Sequence, residues 1–183
     1  PILGMEEPYH YRNKAQYPIG VDKDGNPVAG FYAGRTHSIV PNLDCSLGVK
    51  ENAKILEIIL EYMRVKKVSA YDETTGQGLI RHVLIRKGFT SGELMVCVIA
   101  NGNVLPKQEY LVGRLTQIPG MTSISLSVNT QNTNVIMGRE IHTLWGRPDI
   151  SDTIHVRDMQ KEGFPFTGRE LTFHISPLSF YQV

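Results

Sequence analysis

Seven consecutive residues, Leu94-Met95-Val96-Cys97-Val98-Ile99-Ala100, carry no polar side chain except one thiol. In an extended strand successive side chains point to opposite faces, so a run like this is apolar on both. Strands of that kind sit in the middle of a sheet covered on each side. The run therefore reads as a central strand, ended by Asn101-Gly102-Asn103.

The remaining pattern is arranged around it. Residues 11–21 and 28–34 read as strands flanking the Asp24-Gly25 turn, where Gly accepts positive φ without penalty. Residues 47–64 form the clearest helix. Val49, Ala53, Leu56, Leu60 and Met63 fall on one face, and Lys50, Lys54, Glu57, Glu61 and Arg64 on the other. Asp44 or Ser46 is expected to cap it. Residues 79–87 pair with 93–100 across Gly88-Phe89-Thr90-Ser91-Gly92. A second helix is expected over 106–118, with Pro106 in its first turn and Pro119-Gly120 as its stop. Over 122–128, Ile124, Leu126 and Val128 alternate with Ser123, Ser125 and Ser127, the pattern of a half-buried strand. Short strands are expected near 139–145, 153–159, 164–166 and 171–175, broken by Gly146, Gly163 and Gly168. The fold class is α+β: a largely antiparallel or mixed sheet with two main helices packed on it.

Several function classes fall away. With 41% apolar residues and a net charge of +1, the chain of 183 residues is not a disordered tail. Two cysteines make neither a disulfide framework nor a zinc signature. No apolar run approaches the ~18 residues that span a bilayer, and no secretory signal opens the chain, so no membrane partner and a cytoplasmic location are expected. The start at Pro1 and the end at Val183 both look cut rather than finished. No strand–Gly-rich turn–helix unit is visible, so a self-contained Rossmann domain is not expected. Gly76-Gln77-Gly78 precedes a strand rather than a helix and reads as a hairpin turn.

The candidates for chemistry are few. None of the six histidines pairs with another at helical ligand spacing, and His82 reads as a strand histidine on a solvated or interface face. Cys97 reads as a buried, inert thiol. Cys45 sits just before the first helix, beside a loop carrying Arg35 and His37, where a helix N-terminus would lower its pKa. Basic residues gather near aromatics: Arg12 and Lys14 among Tyr9, Tyr11 and Tyr17, then Arg64, Lys66, Lys67, Arg81, Arg86 and Lys87. Such interleaving suits RNA, whose phosphates take charge and whose unstacked bases take ring faces. Ordinary solvated faces and helix C-terminal charges are the competing reading.

Several segments taken together are more specific. Pro1-Ile2-Leu3-Gly4-Met5, Tyr11-Arg12-Asn13-Lys14, and Gly30-Phe31-Tyr32 leading to Asp44-Cys45 are three of them. Arg81-His82-Val83 with Gly92-Glu93-Leu94-Met95-Val96 is a fourth, and Phe173-His174-Ile175-Ser176-Pro177-Leu178-Ser179-Phe180-Tyr181-Gln182-Val183 is the most distinctive. The set resembles the central domain of the RNA uracil-5-methyltransferases, which methylate uridine in 23S rRNA or tRNA with S-adenosylmethionine. The resemblance spans essentially the whole chain. It implies a central domain over residues 1–175 and, over 176–183, the start of the linker into a methyltransferase domain that this sequence lacks. It implies RNA as partner, 23S rRNA preferred, and a role in rRNA processing. A non-catalytic RNA-binding module is the alternative.

Site roles follow from the same resemblance. Gln182 matches a residue that contacts S-adenosylmethionine, and Phe180 an aromatic near the flipped uridine. Arg12 and Lys14 become phosphate contacts. Cys45 matches the last ligand of a [4Fe–4S] cluster whose other three cysteines are not in this sequence. No cofactor is expected on this chain by itself, and no catalytic residue is expected in it. In the implied whole enzyme a cysteine thiolate adds to C6 of uracil, C5 takes the methyl group, and a base removes the C5 proton. This chain would supply RNA positioning and one wall of the pocket.

Overall fold

The apolar run lies in the middle of a seven-stranded sheet, in a computed structural model that describes residues 4–5, 7–36 and 38–181. The strands are β1 (Lys14–Val21), β2 (Pro27–Tyr32), β3 (Ile39–Pro41), β4 (Ile80–Lys87), β5 (Leu94–Ala100), β6 (Met121–Val128) and β7 (Glu140–Gly146). Their spatial order is β3-β2-β1-β4-β5-β6-β7. Every pairing is antiparallel except β5 with β6, which is parallel. A separate hairpin pairs β8 (Ile150–Arg157) with β9 (Phe166–Ile175). Two helices, α1 (Glu51–Lys66) and α2 (Gln108–Leu115), complete the α+β fold.

Both helices cover one face. Ile55, Leu56, Ile59 and Met63 of α1 and Leu111 and Leu115 of α2 join Val83, Ile85, Val96, Val98, Ile124 and Leu126 in the main core. Glu61 ties the helices together by accepting from Arg114 Nη1 at 2.8 Å and from Tyr110 Oη at 2.8 Å. The opposite face is covered in two parts. The segment between β6 and β7 lays Ile136 and Met137 over Leu84, Cys97 and Ile99. The base of the β8–β9 hairpin and Tyr181 close over Met95 through Ile150 and Ile175. Thus β5 is apolar on both faces because both are sealed, and each of its seven residues is buried.

The structure departs from the sequence expectations at identifiable places. The serine face of β6 is not solvated: Ser123, Ser125 and Ser127 are all buried. Ser127 Oγ accepts from the Gly138 amide at 2.9 Å, which brings the β6–β7 segment against that end of the strand. The parallel pair makes β5-α2-β6 a βαβ unit. Its Asn101-Gly102-Asn103 turn holds one glycine, far from the Gly-rich turn that cradles phosphates. Helix α1 starts at Glu51 after Lys50, with no side-chain cap from Asp44 or Ser46. The two short strands near 164–166 and 171–175 are one long strand, β9. Gly168, at φ 79°, lies inside it rather than breaking it, where a register slip marks a bulge. The Gly76–Gly78 segment is the expected turn, and a Cβ on Gly78 would fall 1.9 Å from the Ala70 carbonyl oxygen.

One carboxylate fixes the hairpin to the sheet. Asp152, 4% exposed, accepts from the backbone amides of Phe89, Thr90 and Ser91 at 3.0, 2.9 and 3.3 Å. Ser91 Oγ donates to the Ser151 carbonyl at 2.6 Å, and Thr90 Oγ1 to that of Thr153 at 2.7 Å. Charge-assisted hydrogen bonds are each worth ~1.5–3 kcal/mol, and removing the acceptor leaves three part-buried amides without their partner. Asp152→Ala should therefore cost about 2–4 kcal/mol. Hydrogen exchange should show the amides of 89–91 and of the hairpin losing protection while those of β5 keep most of theirs.

Candidate nucleic-acid interface

Segment 10–12 is pinned beside segment 46–48. The His10 amide donates to the Ser46 carbonyl at 2.8 Å and the Arg12 amide to that of Leu47 at 2.9 Å, while His10 Nδ1 lies 2.7 Å from the Gly48 oxygen. This pairing brings three sequence-predicted residues together. Arg12, Lys14 and Cys45 line one cavity of about 240 Å³, with Tyr17, Phe31, Gln16, Ala15 and Gly48. Tyr17 and Phe31 rings stand 5.2 Å apart, and Asn52 Nδ2 donates to the Tyr17 hydroxyl at 3.2 Å. Arg12 is exposed and Lys14 half-buried. Burial, then the nearby Arg86 charge, lowers the Lys14 pKa. Tyr17 is fully buried, so two cations beside the exposed Phe31 ring can take an anionic group and a flat one.

Cys45 is half-buried in a turn closed by the Gly48 amide on its carbonyl at 2.9 Å. It precedes α1 by six positions, so it does not sit at the helix N-terminus as expected. The only other cysteine, Cys97, is sealed in β5, and burial pushes its thiol up to about 11. Among the described residues no group of three His, Cys, Asp or Glu side chains could hold a metal. The residues present do not fit an iron–sulfur cluster, which takes four thiolates.

Phe180 stands 94% exposed, on a segment held from beneath. The buried Arg86 donates through Nη1 to the Tyr181 carbonyl at 3.0 Å and through Nη2 to that of Ser179. Lys14 faces Arg86 in the β1–β4 register, so the cation cavity and the Phe180 segment meet at one cross-strand pair. Gln182 lies outside the described residues, as do His37 and Val183.

Three strand residues differ from their sequence reading. Arg81 and Arg86, taken as possible surface cations, are 5% and 2% exposed. Arg81 is the extra residue where the β4–β5 ladder slips between Ile80 and His82. It donates through Nη1 to the Asn129 and Gln131 carbonyls at 2.9 and 2.7 Å. Neither guanidinium is free for phosphate. The signal was present: three cationic or polar side chains inside an apolar strand need internal partners. His82, read as lying on a solvated or interface face, is 6% exposed, so it is not solvated. Its strand is interior on both faces, and burial, with Arg81 adding to it against the opposing pull of Glu73, drops its pKa to about 4.

That shift has a sign. The unfolded histidine, with pKa ~6.5, binds more protons than the folded one between that value and about 4. The stabilisation is complete above ~6.5 and is lost as pH falls towards about 4. Urea titrations should show about 2 kcal/mol less stability from this group at pH ~5 than at pH ~7.5. His82→Leu should flatten that part of the profile.

No family model matches the chain. Curated relatives named RNA methyltransferase do, and they cover it end to end. It is 38% identical over 183 residues to an uncharacterized RNA methyltransferase of Clostridium tetani, spanning 36% of that protein. It is 39% identical over 184 residues to one from Halalkalibacterium halodurans, spanning 37% of it. The chain thus spans little more than a third of the curated relatives it matches. Among solved structures it resembles the Pyrococcus abyssi tRNA (uracil-54, C5)-methyltransferase in complex with S-adenosyl-L-homocysteine. The TM-score is 0.72 at 23% identity, over 96% of this chain and 38% of that one, which establishes a shared fold.

Proposed function

We propose that this chain, homologous along its whole length to part of RNA methyltransferases, is the central portion of an S-adenosylmethionine-dependent RNA (uracil-5-)-methyltransferase. The observation that carries the reading is the end-to-end identity of 38–39% with curated RNA methyltransferases. The uracil-5 chemistry rests on the match of motifs around Cys45 and Phe173–Tyr181 to that family, and on the fold shared with a tRNA uracil methyltransferase. The proposed substrate is 23S rRNA, in the cytoplasm. Residues 1–175 form the central domain, and 176–183 begin the passage towards the methyltransferase domain.

The role assigned to the chain is positioning. Arg12 and Lys14 take RNA phosphates, and Phe180 meets an unstacked base near the target uridine. Base flipping makes such a surface useful, because C5 and C6 of a stacked uracil are poorly reached. Gln182 is assigned to the methyl donor and Cys45 to a cluster completed by cysteines from elsewhere in the parent enzyme. The described residues by themselves form neither site, and no step is derived through either group.

The test is a salt titration of single-stranded RNA binding to the chain. Binding should be weak and should fall with salt. Each counterion-releasing contact on a single strand contributes ~0.7 to the slope of log K against log salt. Arg12→Ala and Lys14→Ala should each lower the slope by about that amount. Binding unchanged between low and high salt would contradict the assignment.

A further inference from the structure

An exposed aromatic on a loose terminus needs no explanation. Phe180 is different, because the residue on each side of it is held through its carbonyl. A guanidinium buried in central strand β4, at 2% exposure, donates to the carbonyls of Ser179 and Tyr181, the residues on either side. The approach to Phe180 is locked too. The Ser176 amide donates to Ser179 Oγ at 2.9 Å, and the Ser179 amide to the Ser176 carbonyl at 3.1 Å, closing a turn over Pro177 and Leu178. Beyond it, the Tyr181 ring packs 5.7 Å from Phe173, and its hydroxyl lies 3.5 Å from Asp152 Oδ2. Ser176, Ser179 and Tyr181 are thus tied inward around Phe180, whose own ring is 94% exposed.

A buried guanidinium is costly unless its donors are used, and here two of them are spent on this one segment. We infer that Arg86 is a positioning residue that holds Ser176–Tyr181 so that Phe180 stands as a fixed stacking surface for an unpaired RNA base. The inference rests on the RNA-binding reading above and adds the residue that makes the surface rigid. A ring fixed before binding loses less freedom when a base stacks on it, so preorganisation converts into affinity. Part of what stacking of a base on an aromatic side chain contributes to affinity therefore depends on the ring being held.

The experiment uses the full 183-residue chain with Trp145→Phe and Phe180→Trp, leaving one tryptophan as reporter at position 180. The probe is a short oligouridylate. Arg86→Met removes the clamp. Ser179→Ala loosens the same segment from its exposed side and keeps the comparison informative where Arg86→Met fails to fold. Both variants should lower the anisotropy of the reporter without RNA, weaken its quenching by oligouridylate, and raise Kd roughly 5-fold. The salt slope should stay as in the parent, because no phosphate contact is removed. A loosened reporter with unchanged quenching and Kd would overturn the positioning role. Phe180→Leu in the native sequence separates the two levels. If it weakens binding while the loosening variants do not, the positioning role alone is overturned. If it leaves Kd unchanged, the stacking reading falls and the inference with it.

Discussion

Two buried guanidinium groups hold the second face of the sheet together. Arg81 and Arg86 sit in β4, and each donates twice to main-chain carbonyls rather than to a carboxylate. Arg81 binds the start of the β6–β7 segment, and Arg86 the segment after β9. These two segments supply or adjoin the apolar cover over Leu84, Cys97 and Ile99 and over Met95. An apolar run such as 94–100 would otherwise be sealed by helices on one side only. Carbonyls compensate a buried charge only when they converge, so each arginine dictates the path of the chain it binds. The hairpin follows from the same arrangement, since Asp152 anchors its base beside the point where Tyr181 returns.

The site inherits its geometry from this frame. Lys14 lies across from Arg86 on β1, and Arg12 is drawn next to Cys45 by the pairing of segment 10–12 with 46–48. The cation cavity and the projecting ring are thus linked through one strand pair. The arrangement is suited to an extended, flexible polyanion with exposed bases, which needs charge at one place and a flat surface at another. The same fold occurs in a tRNA uracil methyltransferase, and the curated relatives are RNA methyltransferases nearly three times as long.

The sequence was most legible where one rule acted alone. The 3.6-residue period of Val49 to Met63 placed α1, and the unbroken apolar run placed β5. It was least legible where distant segments decide the environment. Ser123, Ser125 and Ser127 show the alternation of a half-solvated strand, and nothing local reveals that all three are buried. His82 and Arg86 look like the polar side of a strand until both faces of that strand are found covered. The helix cap failed for a related reason: Asp44 and Ser46 lie in a turn shaped by pairing with residues 10–12, so α1 starts later. Of the candidate site, the sequence named Arg12, Lys14, Cys45 and Phe180, and the fold gathers the first three in one cavity. Arg86 was visible only as a cation, because its partners lie more than ninety residues away.

The central claim is that one surface of this chain, running from the Arg12–Lys14 cavity to Phe180, receives single-stranded RNA. Photocrosslinking with RNA carrying 4-thiouridine, followed by peptide mapping, tests it most directly. Adducts should concentrate in residues 176–181 and around residues 12–17. Adducts confined to the solvent face of α1, around Lys54 and Glu57, would contradict the account.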